Sequence, residues 1–398
     1  MRMPARRSCA SSGSIGLRPA CRAPFSFPIS PAVRPADLFS MSATLDRLIA
    51  TRIRQDVQSM HAYAIQDARG MVKLDAMENP HRLPAALQKE LGERLAAVAL
   101  NRYPGERIAD LQQALARHAR LPEGFGLMLG NGSDELISLL ALACDVPGAT
   151  ILAPQPGFVM YAMSAQLQGL QFVGVDLTPD FELDERAMLD AIAQHQPAIV
   201  YLAYPNNPTA NLWDAGVIEK IVQAAPGLVV IDEAYQPFSS RTYLDRITRH
   251  EHVLLMRTLS KFGLAGVRIG YMMGPAALVA EVDKVRPPYN ISVLNAEAAL
   301  FALEHEDVFA GQAAELKRER ERLQEALKGM GLKAWPSDAN MILVRVPDAA
   351  RSFEGMKARK VLVKNVSRMH PLLAGCLRLT VGTPDENTQM IAALQSTL

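Results

Sequence analysis

Much of what would assign this chain to a class at once is missing from it. Only four of its 398 residues are cysteine, and no two form a Cys-x-x-Cys pair. Cys9 and Cys21 lie in the N-terminal stretch, which leaves Cys144 and Cys376 in the body. That is too few and too scattered for a disulfide scaffold, and it points to a reducing, cytoplasmic setting. A dominant charge is also missing: 42 basic residues face 41 acidic ones, for a net charge of +1. No global field then draws nucleic acid or a membrane surface. No apolar run reaches eighteen residues, so no transmembrane helix is expected. Acids are absent before Asp37, where six arginines stand among many prolines, serines and alanines. Such a stretch cannot bury enough surface to fold alone. It has no secretory-type apolar core, and its prolines interrupt the amphipathic helix of a transit peptide. Residues 1–40 are therefore expected to be a disordered or artificial extension, with Met41 opening the chain proper.

What is present suffices for one large core and a smaller domain, since 49% of the residues are hydrophobic. Apolar spacing predicts helices over 46–60, 83–98, 108–120, 133–144, near 158–168 and over 315–328. Short apolar runs at 127–129, 149–153, 198–203, 228–232 and 253–257 alternate with helical stretches, as in a mostly parallel α/β sheet. Runs at 339–346, 361–363 and 377–381 suggest a smaller α+β domain. The mixed signs along Glu315–Lys328 mark a solvated face.

Three segments carry chemistry. Lys261 follows Ser260 directly, sits in glycine-rich chain, and has Arg268 seven residues on. Twenty-nine residues upstream, the apolar run Val229-Val230-Ile231 ends in Asp232, with Tyr235 three positions later. Before it comes Asn206-Asn207-Pro208-Thr209. Singly these are a surface lysine, a helix cap and a turn. Together, each behind a strand-like run, they offer an amine for a Schiff base, donors for a phosphate and an acid for a ring nitrogen. That set suits pyridoxal phosphate. Gly132-Ser133-Asp134-Glu135 opens a helix whose free N–H groups make an anion site.

On these segments the chain resembles the histidinol-phosphate aminotransferases, fold-type I enzymes dependent on pyridoxal phosphate. Further matches are Leu74-Asp75-Ala76-Met77-Glu78-Asn79-Pro80, Asn101-Arg102-Tyr103-Pro104 and Leu377-Arg378-Leu379-Thr380-Val381-Gly382. The resemblance runs from Lys73 to Asn387. It implies a large domain with a mostly parallel sheet between helices, over 83–288, and a small one over 289–398. Residues 41–82 would form an N-terminal arm and part of the small domain. By the same resemblance Lys261 carries the cofactor and moves the proton, with Asp232 on the pyridine nitrogen. Tyr235 and Asn207 meet the ring's phenolate oxygen, and Phe158 stacks on the ring. Ser133, Asp134, Ser260 and Arg268 hold the cofactor phosphate, joined by Tyr103 from the neighbouring subunit of a homodimer. Arg378 clamps the substrate anion, with Tyr63, Asn79 and Arg345 as further substrate contacts. No metal is expected.

The implied reaction is amino transfer between L-histidinol phosphate and 2-oxoglutarate in histidine biosynthesis. An aromatic-amino-acid aminotransferase and a threonine-phosphate decarboxylase share most of these motifs. A regulator built on the same fold would need a helix-turn-helix module, for which residues 1–70 leave no room. Three positions depart from the family pattern: Met77 for asparagine, Ala210 for glycine, and Gly157 for a larger residue.

Overall fold

The computed structural model describes residues 35–60 and 66–398, and of residues 35–42 only the backbone path. The chain forms two units, Met1–Ala64 and Ile65–Leu398. In the first, a helix spans Pro35–Arg52 and a single turn Gln55–Gln58. The helix expected over 46–60 is broken at Arg54, whose extended backbone (φ −55°, ψ 138°) cannot continue it. Leu48, Ile49, Ile53 and Val57, expected near one face, are exposed.

In the second unit the strands are β1 Val72–Lys73, β2 Phe125–Asn131, β3 Thr150–Gln155, β4 Gln171–Asp176, β5 Ile199–Ala203, β6 Leu228–Asp232, β7 Val253–Thr258 and β8 Ile269–Pro275. Then come β9 Lys333–Ala334, β10 Met341–Arg345, β11 Val361–Leu362, β12 Lys364–Asn365 and β13 Cys376–Thr380. Seven of them make the large sheet, in the order β2-β8-β7-β6-β5-β3-β4. β8 runs antiparallel to both its neighbours, and the other six strands share one direction.

The central strands are apolar throughout because both faces are covered. Val229, Ile231, Val253 and Leu255 face one core cluster, and Val230, Leu254 and Met256 face the other. Helices supply the covering sides. Glu106–His118 buries Leu111 and Leu115, and Ser133–Ala143 buries Leu136, Ile137 and Leu140. Helix Val293–Glu304 also belongs to this core: Ala296, Ala299 and Leu300 lie in the same cluster as Val229 and Ile231. A boundary at 288/289 falls ahead of that helix.

The last hundred residues build a four-stranded antiparallel sheet in the order β12-β13-β10-β9. β1 pairs in parallel with β11, so the segment at Val72–Leu74 joins the C-terminal strands. Helix Glu306–Gly329 covers this sheet, burying Leu316, Leu323 and Leu327 against Ile342, Val344, Leu377 and Leu379. It starts nine residues before its charged half suggested. Among the described residues no helix is long and apolar enough to cross a membrane.

Candidate active site

Parallel sheets gather ligands at the carboxyl ends of their strands. Asp232 is the last residue of β6, Ser260 and Lys261 follow β7, Asn207 follows β5, and Gly132 and Ser133 follow β2. Phe158 follows β3 and caps helix Val159–Gln168. Because β8 is reversed, Arg268 precedes its first residue and lies at the same edge.

The phosphate end is built by close backbone approach. Helix Ser133–Ala143 has no side-chain cap, so its first N–H groups point outward unpartnered by any capping side chain. Arg268 stands over this end, with Nη2 3.4 Å from Asp134 Oδ2 and Nη1 3.4 Å from Ser260 Oγ. Gly132 and Gly270 make room for it. A Cβ on Gly132 would meet Arg268 Nη2 at 2.5 Å, and one on Gly270 would meet Ser133 N at 2.6 Å. The arrangement is an open anion cradle lined by a guanidinium, a hydroxyl and helix amides, and it fits a phosphate monoester.

Asp232 lies deeper, only 4% exposed. Burial pushes its carboxyl up to about 6, against hydrogen bonds that pull it down from the Tyr161 hydroxyl (2.7 Å) and the Ala234 N–H (3.0 Å). A buried carboxylate short of a counter-cation suits a protonated ring nitrogen. Ser133, Phe158, Asn207, Asp232 and Tyr235 line one slot, together with Tyr161. Burial holds the Tyr235 hydroxyl well above the usual phenol range, so at neutral pH it is a donor.

Lys261 Nζ donates to the Ala76 carbonyl at 3.0 Å and lies 5.9 Å from the centre of the Tyr235 ring. Burial, then the nearby Arg378 charge, lowers its ammonium to about 8. That lowering brings the amine closer to neutrality than a solvated lysine, as a nucleophile and proton carrier needs. Arg378, on β13 and 8% exposed, donates through Nη1 to Asn207 Oδ1 and through Nη2 to the Asp75 carbonyl, both at 2.7 Å. With its oxygen so engaged, Asn207 presents its amide NH2 group as a donor.

Of the other expected residues, Asn79 lies against the lysine loop, where a Cβ on Gly263 would meet its Nδ2 at 3.2 Å. Asn79 Nδ2 donates to Gln312 and its oxygen accepts from the His81 N–H. Arg345 packs over Trp335 and donates to the Leu372 carbonyl. Tyr103 is 75% exposed and stacks on Tyr289 at 4.2 Å. Tyr63 lies outside the described residues.

Two residues were missed. Tyr161, three positions after Phe158 on one helix face, is the hydroxyl partner of Asp232; the i, i+3 spacing was the available signal. Lys364 is the direct antiparallel partner of Arg378, so the two side chains share a face. Only the register of β12 against β13 reveals that. A cavity of about 700 Å³ lies elsewhere, lined by Arg94, Arg102, Tyr103, Arg107 and Glu297 among others.

The chain belongs to the class I and II aminotransferase family, whose pattern matches residues 69–394. Within that family it belongs with the histidinol-phosphate aminotransferases. It is 72% identical to the one from Polaromonas naphthalenivorans over 89% of this chain and 99% of that one. It is 73% identical to the one from Methylibium petroleiphilum, over 88% and 95%. Among solved structures it is similar to the histidinol-phosphate aminotransferase of Sinorhizobium meliloti in complex with pyridoxal-5'-phosphate. That likeness has a TM-score of 0.77 at 25% identity, over 87% of this chain and 97% of that one.

Proposed function

We propose that this chain is a pyridoxal-phosphate enzyme that moves an amino group between L-histidinol phosphate and 2-oxoglutarate, giving imidazole acetol phosphate and L-glutamate. One observation carries the reading: Lys261, Asp232 and Asn207 lie at one edge of the large sheet and Arg378 reaches Asn207 from β13, with the amine and the arginine held by adjacent carbonyls. The cofactor, when bound, supplies an electrophilic carbon for the amine and a ring that takes up the electron pair left on the substrate carbon. Ser133, Asp134, Ser260 and Arg268 would hold its phosphate. Asp232 would keep the ring nitrogen charged, Phe158 would cover a ring face, and Tyr235 and Asn207 would donate to the phenolate oxygen. Lys261 receives and returns the proton at Nζ.

Both substrates bring an anion, a phosphate in one half-reaction and a carboxylate in the other. Arg378 offers a planar donor fork to either. Lys364 beside it adds a second cation on the same face, a better-placed phosphate partner than Arg345, which is engaged with Leu372. A homodimer with shared sites is supported by exposed apolar surface at Leu100, Tyr103, Tyr289 and Leu294. A cytoplasmic location rests on the unpaired thiols Cys144 and Cys376.

The test is purified protein with pyridoxal phosphate, L-glutamate and imidazole acetol phosphate, followed for 2-oxoglutarate. Faster turnover with phenylpyruvate than with imidazole acetol phosphate would favour an aromatic aminotransferase instead.

A further inference from the structure

Residues Asp75, Ala76 and Met77 present three successive carbonyls to three different side chains. Asp75 O accepts from Arg378, Ala76 O from Lys261 and Met77 O from Asn340, at 2.7, 3.0 and 3.0 Å. The chain leaves β1 after Lys73 and bends at Asp75 and Ala76, and Met77 follows with a φ of +51°. Left-handed backbone is uncommon for a methionine.

We infer that Met77 is a positioning residue for proton transfer: its left-handed backbone aims the Ala76 carbonyl at Lys261 Nζ and gives the amine a fixed acceptor when it is not bound to cofactor. The rotation about N–Cα of Met77 sets the plane of the Ala76–Met77 peptide, and so the direction of that carbonyl. The surroundings hold the conformation from every side. The Met77 N–H donates to Thr380 Oγ1 at 3.1 Å. Its side chain, 8% exposed, packs with Ala210, Tyr235, Ala339 and Met341. Ala210 is itself left-handed, at φ +65°. Two of the three departures from the family pattern thus fall in one apolar cluster behind the site, on the two members that carry positive φ. The groups facing Lys261 are the cations Arg378 and Arg268, the acids Glu78 and Asp134, and the Tyr235 ring. None of them directs a lone pair at Nζ from a fixed backbone position as Ala76 does.

This inference rests on the aminotransferase reading only for its purpose; its first test needs no turnover. In apoprotein, reductive methylation with labelled formaldehyde, read on the Lys261 peptide as a function of pH, gives the midpoint of the amine. A carbonyl acceptor favours the ammonium, so losing it lowers the midpoint. Met77→Val, whose β-branch resists positive φ, should lower the midpoint by about 0.5–1 unit and raise the modification rate at pH 7.5 by roughly two- to threefold. Met77→Gly and Met77→Asn, which accept positive φ, should keep the midpoint within about 0.2 unit although both remove the apolar side chain. In holoenzyme, Met77→Val should raise the isotope effect on kcat/KM for α-deuterated substrate, with KM little changed. Equal midpoint shifts in the valine and glycine variants would make Met77 a packing residue and overturn the proposal. An unchanged midpoint in Met77→Val, with folding retained, would overturn it as well. Failure to use imidazole acetol phosphate would overturn the substrate reading and leave the titration intact.

Discussion

Asp232 is a carboxylate kept in place against its own solvation. Its folded value of about 6 lies above the 3.8 of an exposed aspartate. An acid raised in this way binds more protons folded than unfolded. It therefore takes stability away from the apoprotein as pH climbs from about 4 through 6. A shift of about two units caps the penalty near 3 kcal/mol at pH 7. Asp232→Asn should thus make the apoprotein more stable at pH 7 by about 1–3 kcal/mol in urea titrations, with the gain gone at pH 4. The same variant should lose turnover by orders of magnitude while still binding cofactor, because an amide cannot hold a ring nitrogen charged. Near-normal turnover would remove Asp232 from that role. Arg378 invites a second substitution. Arg378→Lys keeps the charge and loses the fork, along with one of the bonds to Asn207 and Asp75. Stopped-flow measurement of each half-reaction should show both slowed by about ten- to a hundredfold, as for about 1.5–3 kcal/mol. If only the glutamate half-reaction slows, the phosphate is held elsewhere, and Lys364→Ala is the next variant.

Elements differ in how plainly the sequence announces them. β5, β6 and β7 were legible because strands buried on both faces must be apolar at every position. The start of helix Ser133–Ala143 was legible from its glycine and acids, and with it the anion cradle. The reversed strand β8 was not, since an apolar run carries no sign of its direction. Lys364 was not, because its value depends on a cross-strand register formed only in the fold. Tyr161 stood within reach of Phe158 and was passed over, since a tyrosine on a buried helix reads equally well as core. The ion pair beneath the site was invisible for the same reason. Glu233, next to Asp232, is buried and accepts from Arg257 Nη2 at 2.8 Å, from Thr242 Oγ1 at 2.9 Å and from the Tyr243 N–H at 2.5 Å. These bonds fasten the chain after β6 to β7 and to the segment at Thr242–Tyr243. Glu233→Ala leaves a buried guanidinium unpaired and should cost about 3–5 kcal/mol in chemical denaturation. A cost below about 1 kcal/mol would mean that water reaches Arg257 in the variant.

For the whole molecule, the exposed stack of Tyr103 on Tyr289 is the feature that a lone chain leaves unexplained. If Tyr103 serves a neighbour's site, defects on two chains should complement. Lys261→Ala and Tyr103→Ala subunits, each weak or inactive alone, should give a mixed dimer with one complete site. Its activity should approach about half that of the wild type, since one of the two symmetric sites is whole. No recovery on mixing would assign Tyr103 to its own subunit.

β1 pairs with β11 across most of the chain, and the bond from Arg378 to Asp75 joins residues 303 positions apart. During synthesis the large sheet has all seven strands once Pro275 has left the ribosome. Asp75 must wait about a hundred more residues for Arg378, several seconds of translation at common rates. Through that interval Lys261 has its neighbours from the large sheet and no Arg378 beside it. A chain stalled before β13 would then hold all seven strands of the large sheet and an unfinished site. Lys261 therefore meets Arg378 only when the chain is nearly complete.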